Sequence, residues 1–350
     1  MKVLYLYAEI MGYTMATIRN LIERGHEVHI VHWDHKKLTP YQVTSWPNVY
    51  MYNRSTMSVR DIQGLVNKLS PEITVISGWE DKGYMKIARQ LRLRGDIVVS
   101  GFDDQWLGKM RQNLAAILGQ LGYFKRYYSH AWVSGVYQFE YARRLGFDKK
   151  HIIYDLYSAD LSLFKKAYQD CLQDKQQNYP HRFLFVGRLE PVKGLDTLLK
   201  AWQSLGDSKL DWELHLVGNG SLKTELNATQ GVFVKNFMQP ECLMDEVAQA
   251  GCFVLPSRGE PWGVVVHEFA AAGMPLIVSD VVGAASTFLI PGMNGFSFEV
   301  NNSAALADKM LHIIKAKDED LLQMSINSHK LSHKITAESS AANLLSVQHK

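Results

Sequence analysis

The sequence of 350 residues has little cysteine and no long apolar run. Its three cysteines, Cys171, Cys242 and Cys252, are an odd number without a CxxC motif, which argues against a disulfide framework and against a zinc site. No apolar run approaches the ~20 residues that a membrane-spanning helix needs. The apolar start at Met1 meets an acid at Glu9, so we expect a core strand there rather than a secretory signal. These features predict a cytoplasmic protein.

The net charge is small, but the charges are unevenly distributed. Residues 1–165 carry 22 Lys and Arg against 15 Asp and Glu, and residues 166–350 carry 16 against 20. The basic half is suited to an anionic acceptor or an anionic membrane surface, and equally to an ordinary solvated surface. One zone of it interleaves basic and aromatic residues: Lys109, Arg111, Tyr123, Phe124, Lys125, Arg126, Tyr127, Tyr128, Arg143 and Arg144. Two interpretations stay open for this zone, a solvated helix face or a peripheral contact with the inner face of a membrane. No nucleic-acid-binding motif accompanies it, so we expect no nucleic-acid partner.

Strand-like apolar runs alternate with amphipathic helical runs, which predicts α/β layers with parallel sheets. The pattern restarts at Phe183–Val186, after a polar stretch over Lys165–His181 that we interpret as a linker. We therefore predict two doubly wound Rossmann-like domains facing a cleft, at residues 1–168 and 169–320. A helix in residues 321–350 is expected to cross back to the first domain. Ligands of such sheets bind outside the carboxyl ends of the strands.

Two cations follow the strand predicted at Phe183–Val186. Arg188 and Lys193 lie at a strand-to-helix turn with the spacing Gly-Arg-Leu-x-x-x-Lys-Gly. A guanidinium forks onto phosphate oxygens, an ammonium acts as a point charge, and the helix start also favours anions. The spacing favours a diphosphate site over a surface Arg with a capping-region Lys.

Two acids, Glu260 and Glu268, lie on either side of a predicted helix start. Gly263 permits close backbone approach, and the N–H groups of Val264 and Val265 are free at the start of that helix. Glu260 can accept hydrogen bonds from sugar hydroxyls. Glu268 lies in an otherwise apolar stretch, where a carboxylate without a partner is costly, so a ligand is a better explanation than a solvated helix face.

These motifs, taken as a set over about residues 183–300, resemble the retaining glycosyltransferases of family 4. The matching segments are Gly187-Arg188, Lys193-Gly194, Gly218-Asn219-Gly220, Leu255-Pro256-Ser257, the two acids Glu260 and Glu268, Ala270–Pro275 and Gly292–Gly295. The resemblance implies the GT-B fold, with a nucleotide-sugar donor on the second domain and a glycan or lipid-linked acceptor on the first. It implies transfer of a hexosyl-type group with retention, in cell-surface polysaccharide biosynthesis. It also implies no cofactor beyond the donor and no metal ion.

The resemblance assigns roles residue by residue. The catalytic set is Arg188, Lys193, Glu260 and Asp103. The donor-binding set is Glu268 for the ribose, Asn236 and Phe237 near the base, and Gly187, Gly263, Val264, Val265 and Gly12 around the donor. UDP and GDP forms of the donor are both open.

Two departures from the family pattern concern the first domain. Its first strand-to-helix loop has only Gly12 where a glycine pair is usual, and Phe102 stands where a histidine would touch the donor sugar. Asp103 takes part of that polar role or is a helix N-cap, with nearly equal weight. Two other functions stay open, a non-catalytic sugar-nucleotide-binding partner of another transferase and a sugar-nucleotide epimerase.

Overall fold

The computed structural model describes residues 1–34 and 46–349. The chain divides into two compact units. Unit 1 consists of Met1–Ser158 together with Ile335–Lys350, and unit 2 of Ala159–Lys334. Each unit contains one all-parallel sheet, which confirms the predicted α/β class with two Rossmann-like domains.

Unit 1 alternates strands and helices. In chain order its elements are β1 Lys2–Tyr7, α1 Gly12–Glu23, β2 Glu27–His32, β3 Val49–Asn53, α2 Val59–Leu69, β4 Ile73–Ser77, α3 Lys82–Leu93, β5 Ile97–Phe102, α4 Met110–Gln120, β6 His130–Val133, α5 Val136–Arg144 and β7 Ile152–Ile153. The strands are ordered β3-β2-β1-β4-β5-β6-β7. Strand order therefore reverses between β1 and β4, which is where doubly wound sheets place a ligand crevice.

Successive side chains of β1 belong to two separate cores. Leu4 and Leu6 lie in one cluster, and Val3, Tyr5 and Tyr7 in the other. This alternation buries both faces of the sheet, as the near-continuous apolar runs of its strands require.

The last helix of the chain, α14 at Ala337–Leu345, belongs to unit 1. Ala341 and Leu344 lie in the same core as β1, and the hydroxyls of Thr17 and Ser340 are hydrogen-bonded at 3.0 Å. The return to unit 1 falls at Ile335, later than the boundary at 321 expected from the sequence.

Unit 2 repeats the same architecture. Its elements are α6 Leu161–Gln177, β8 Arg182–Val186, α7 Leu195–Ser204, β9 Glu213–Val217, α8 Lys223–Asn227, β10 Val232–Lys235, α9 Pro240–Ala248, β11 Cys252–Leu255, α10 Val264–Ala271, β12 Leu276–Ser279, α11 Ala285–Phe288, β13 Gly295–Phe298, α12 Ser303–Lys315 and α13 Asp318–Ser332. The sheet order is β10-β9-β8-β11-β12-β13.

The linker predicted at Lys165–His181 is wrong, because most of it lies within α6. The sequence of α6 is polar, but Phe164, Ala167 and Tyr168 form a buried stripe on one face of the helix. Unit 2 accordingly begins at Ala159, ten residues before the expected start at 169.

No helix in the described part of the chain is long and apolar enough to cross a membrane.

Candidate functional site

The strand order of unit 2 reverses between β8 and β11. The chain runs from β8 outward through β9 and β10, and then from β11 outward through β12 and β13 on the other side. The loops that follow β8 and β11 therefore border the switch point at the carboxyl edge of the sheet. These two loops carry Arg188, Lys193 and Glu260.

The structure brings Lys193 and Glu260 together. The Lys193 ammonium donates to Glu260 Oε2, and the two side chains are only 13% and 14% exposed. The buried Ser257 donates its hydroxyl to the same oxygen at 3.0 Å. The cation predicted for the diphosphate and the acid predicted for the sugar are thus direct neighbours in the described structure.

Arg188 is exposed beyond the end of β8. Within the described part of the chain its guanidinium has no hydrogen-bond or ion-pair partner. The preceding Gly187 donates its N–H to Val217 O at 3.0 Å, so that group belongs to the sheet. Arg188 is therefore available for an anion at the sheet edge, whereas the Gly187 N–H is committed.

Three glycines let the loops at this edge approach one another. A Cβ added to Gly194 would lie 2.1 Å from Pro256 O, and one added to Gly218 would lie 1.9 Å from Gly187 O. Gly220 packs in the same way against Leu189 O, at 2.3 Å. Any side chain at these positions would push the loops apart, which explains the glycines physically.

Sequence reasoning missed Arg258, which joins the two loops. Its guanidinium donates to Pro191 O at 3.0 Å, Asp196 Oδ2 at 2.6 Å and Asn301 Oδ1 at 2.6 Å. Its backbone N–H donates to Val192 O at 2.8 Å. An Arg in a polar loop carries no signal for such a role, because its partners are distant in sequence.

Gly263 immediately precedes α10 with a φ of +90°, a left-handed value that glycine adopts without strain. Val264 and Val265 form the first turn of α10, and no side chain caps this end. The first N–H groups of a helix have no intrahelical acceptor, so this end is suited to an anion. A Cβ on Gly263 would lie 2.8 Å from Glu260 Cγ, which places the helix start directly beside the acid.

Glu268 lies one turn into α10 and is partly buried. Within the described residues its carboxylate has no hydrogen-bond or ion-pair partner. Burial, and to a lesser degree the charge of Asp160, raises the pKa of Glu268 to about 7. A carboxylate kept without a partner in such surroundings is expected to be stabilised by hydroxyl donors from a ligand.

His267, the residue before Glu268, fixes the position of α10. It is fully buried, accepts from Ala159 N at 3.1 Å and donates to Ser332 O at 2.8 Å. Burial lowers the pKa of His267 to about 4, so the ring is neutral and structural.

Asn236 and Phe237 follow β10, which is separated from β11 in the sheet by β9 and β8. Asn236 is exposed and accepts from the Lys223 ammonium, and Phe237 is half-buried. The Asn236 side chain is therefore already engaged within unit 2.

The first-domain residues lie at the carboxyl edge of the unit 1 sheet. Gly12 begins α1, after β1. Asp103 follows β5 and contributes to a cavity of about 460 Å³. The cavity is lined by Ala8, Ser77, Gly78, Trp79, Glu80, Gly101, Phe102, Asp103, Asp104 and Tyr157.

Phe102 is 5% exposed and packs against Trp79 and Tyr141, with ring centroids 5.5 and 6.0 Å apart. It is therefore largely a core residue, with only an edge at the cavity. Within the described residues no group of three or more His, Cys, Asp or Glu side chains is placed to hold a metal ion.

The residues at this edge of unit 2 lie in a segment of sequence that matches a known family. Residues 173–331 match the model of the family "Glycosyl transferases group 1". This segment is similar to the group 1 glycosyltransferases. The match covers nearly all of unit 2 and includes Arg188, Lys193, Glu260 and Glu268. Membership of family 4 within that group stays a prediction.

Relatives and solved structures agree with the family and the fold. An uncharacterized glycosyltransferase of Methanocaldococcus jannaschii is 33% identical over 144 residues, which are 39% of this chain and 38% of that protein. The match thus spans less than half of that relative. Sucrose-phosphate synthase from Thermosynechococcus elongatus is 18% identical, with a TM-score of 0.75 over 99% of this chain and 98% of that one. HepE from Anabaena, solved in complex with UDP, is 14% identical, with a TM-score of 0.74 over the whole of both chains. HepE has also been solved with UDP-glucose. At these identities the structural likenesses establish the fold.

Proposed function

We propose that this protein is a retaining glycosyltransferase. It moves a sugar from a nucleoside diphosphate sugar to a glycan or lipid-linked acceptor, in the synthesis of a cell-surface polysaccharide. The observation that carries the proposal is the Lys193–Glu260 pair at the β8/β11 switch point, beside the uncapped start of α10 and the exposed Arg188.

The diphosphate binds between the loop after β8 and the start of α10. Arg188 and Lys193 supply two positive charges, and the first N–H groups of α10, those of Val264 and Val265, supply hydrogen-bond donors. These groups stabilise the charge that develops on the leaving diphosphate, a role that otherwise falls to a divalent cation. We therefore propose activity without a metal ion.

Glu260 and Glu268 bind opposite ends of the donor. Glu260, which contacts Lys193, accepts from hydroxyls of the sugar next to the diphosphate. Glu268 accepts from the ribose hydroxyls, which satisfy a carboxylate that lacks a partner within the described residues. Asn236 and Phe237 border the base. The complexes of HepE with UDP and UDP-glucose favour a uridine nucleotide as the first donor to test.

The acceptor binds in the unit 1 cavity, where Asp103 and the α1 start at Gly12 lie at the carboxyl edge of the sheet. In the reaction the bond from the sugar C1 to the diphosphate oxygen breaks. The acceptor hydroxyl forms the new C1–O bond on the same face and gives its proton to the departing diphosphate. Configuration at C1 is thereby retained, and no covalent enzyme intermediate is required.

The buried side chain of Phe102 favours a second candidate, a non-catalytic sugar-nucleotide-binding partner of another transferase. In that case the donor binds but is neither transferred nor hydrolysed. A sugar-nucleotide epimerase would instead release an altered sugar without an acceptor. Product analysis separates the three functions.

The test uses the purified full chain with a panel of UDP-, GDP- and ADP-sugars. We expect one donor to raise the melting temperature, because a ligand that binds only the native state stabilises it, and to be hydrolysed slowly without an acceptor. Arg188→Ala and Lys193→Ala should each lower turnover by about 100-fold or more. Lys200→Ala, which removes an exposed lysine of α7, is the matched control and should leave turnover unchanged.

Glu260→Ala and Glu268→Ala test the division of roles. Calorimetric titration with the nucleoside diphosphate should detect weaker binding only for Glu268→Ala, whereas Glu260→Ala should lose turnover at nearly normal nucleotide affinity. Turnover abolished by EDTA and restored by Mg²⁺ or Mn²⁺ would refute metal independence. Donor binding without any hydrolysis or transfer would favour the non-catalytic partner.

A further inference from the structure

Helix α4 presents its apolar residues to solvent. Leu107, just before the helix, and Met110, Leu114, Ile117, Leu118 and Leu121 are all between 40% and 85% exposed. From Met110 onward the spacings are four, three, one and three residues, which place these side chains along one helical stripe. A contiguous exposed apolar patch of this kind marks an interaction surface.

The way α4 is attached explains why this stripe remains outside. Its one buried residue is Gly119, whose added Cβ would lie 2.4 Å from Leu145 O. Gly146 in turn packs against Gly119 O at 2.3 Å. Gln120 Nε2 holds the end of the helix by donating to Arg143 O and Arg144 O, each at 3.1 Å. The helix is therefore anchored through its glycine face, and its large apolar side chains make no part of the unit 1 core.

The segment of chain that carries the stripe has charges of one sign. Residues 105–139 contain four basic residues, Lys109, Arg111, Lys125 and Arg126, and no Asp or Glu. Lys125 is paired with Asp148 at 3.2 Å. Arg111 and Arg126 are exposed and, within the described residues, have no ion-pair partner. An apolar stripe flanked by cations is complementary to an anionic bilayer, where apolar side chains enter the headgroup boundary and cations meet lipid phosphates.

Some of the basic-aromatic zone is not available for such a contact. Phe124 and Tyr128 are buried in the core of unit 1, and Arg144 pairs with Glu140 at 2.8 Å and lies over the Trp106 ring. Tyr123, in contrast, is exposed. The surface is therefore narrower than the sequence indicated and is centred on α4.

We propose that α4 docks this protein on an anionic lipid surface with its apolar stripe in the headgroup boundary. The inference rests on the proposed function in that it names the surface on which a lipid-linked acceptor is presented. The docking surface lies on unit 1, and none of its residues is among those to which we assign donor binding.

Co-sedimentation of the full chain with vesicles tests the proposal. One set contains phosphatidylcholine alone and the other an equimolar mixture with phosphatidylglycerol. We expect binding to the anionic set, weakened by salt. Leu114→Glu/Leu121→Glu should lower the partition coefficient by about 100-fold or more, because two leucines that enter the bilayer are replaced by charges that lipid phosphates repel. Arg111→Gln/Arg126→Gln should lower it by about fivefold per charge and flatten its salt dependence.

Leu93→Glu is the matched control, since Leu93 is 79% exposed in unit 1 but lies in α3, away from the stripe in sequence. It should bind vesicles like the unaltered chain. Equal loss in Leu93→Glu, no loss in the α4 variants, or no binding to anionic vesicles would overturn the proposal. So would a dimer in light scattering that Leu114→Glu/Leu121→Glu converts to monomers, which would make the stripe a self-association face.

Titration with UDP separates this proposal from the proposed function. The α4 variants should bind UDP like the unaltered chain, which establishes that unit 2 folds. Their far-UV circular dichroism should match that of the unaltered chain, which checks the fold of unit 1. Vesicle binding without any nucleotide binding would leave the docking surface standing and reject the transferase.

Discussion

At the scale of single residues, the site depends on charges held in partly buried positions. Lys193 and Glu260 neutralise each other across two loops, whereas Glu268 has no partner within the described residues and a pKa raised to about 7. A ligand that donates hydroxyls to Glu268 binds the carboxylate form. Its affinity should therefore depend on pH in the neutral range.

We expect nucleoside diphosphate affinity to be about tenfold weaker near pH 6 than near pH 8, because protonated Glu268 must first lose its proton. The phosphate of the nucleotide titrates in the same range, so Glu268→Gln is the control. Calorimetric titrations of both proteins should give a difference in affinity that is largest at high pH and vanishes as the pH falls and Glu268 becomes protonated. Parallel pH profiles for the two proteins would mean that Glu268 does not contact the nucleotide.

The raised pKa of Glu268 also predicts how the stability of the ligand-free protein depends on pH. The pKa of Glu268 is above the ordinary 4.5, so the folded state binds more protons than the unfolded state between these values. Relative to Glu268→Gln, the protein should lose about 2–3 kcal/mol of unfolding free energy as the pH rises from about 4.5 to about 7, and little beyond. Urea denaturation across this range measures the loss.

At the scale of elements, the site is made by loops that approach through glycine. Gly194 combines a φ of +66° with a contact that leaves no room for a Cβ, whereas Gly231 has a φ of +76° and its nearest atom, Trp202 Nε1, lies 3.8 Å away. Alanine at Gly231 therefore tests backbone strain alone, whereas alanine at Gly194 tests backbone strain together with a steric clash.

Gly231→Ala should cost about 1–2 kcal/mol of stability, the strain of a left-handed alanine. Gly194→Ala should cost at least about 3 kcal/mol, because the loops after β8 and β11 must also move apart. Chemical denaturation gives both values. Equal losses would show that the close approach to Pro256 contributes nothing.

Many of the strands and helices could be predicted from the sequence, and the wrong predictions have physical causes. Continuous apolar runs marked β1, β8 and β11, because both faces of their sheets are buried. The edge strand β3 is half-exposed, so its sequence lacks such a run and does not predict a strand. Over α6 the sequence predicts a linker, because the polar residues of its exposed face outnumber the residues of its buried stripe.

The candidate site, too, could be predicted from the sequence only in part. Strand ends and glycines predicted which residues share the edge of the unit 2 sheet, because parallel strands place their carboxyl ends together. The contact between Lys193 and Glu260 joins residues 67 positions apart, and no spacing rule reaches that far. The contacts of Arg258 depend on the path of three loops, so they could only be seen in the folded chain.

At the scale of the whole molecule, unit 1 is discontinuous in sequence. Leu344 of α14 is fully buried in the same core as β1, and Leu306 of α12 is equally buried in unit 2. Leu344→Ala should therefore weaken unit 1 by about 2–5 kcal/mol. Hydrogen exchange should speed up in β1 and β2 but not in β8 and β9, and Leu306→Ala should give the reverse pattern. Faster exchange in unit 2 for Leu344→Ala would contradict the assignment of α14.

The return of α14 to unit 1 also bears on how the protein is made. A ribosome releases the segment of unit 2 in one continuous piece, so that unit can complete its core during synthesis. Unit 1 starts at β1 but lacks Ala341, Leu344 and Val347 until all of unit 2 and then α14 have emerged. Until then one face of its nascent sheet lacks its α14 cover and is open to chaperones. The unit that is translated first is therefore the unit that finishes folding last.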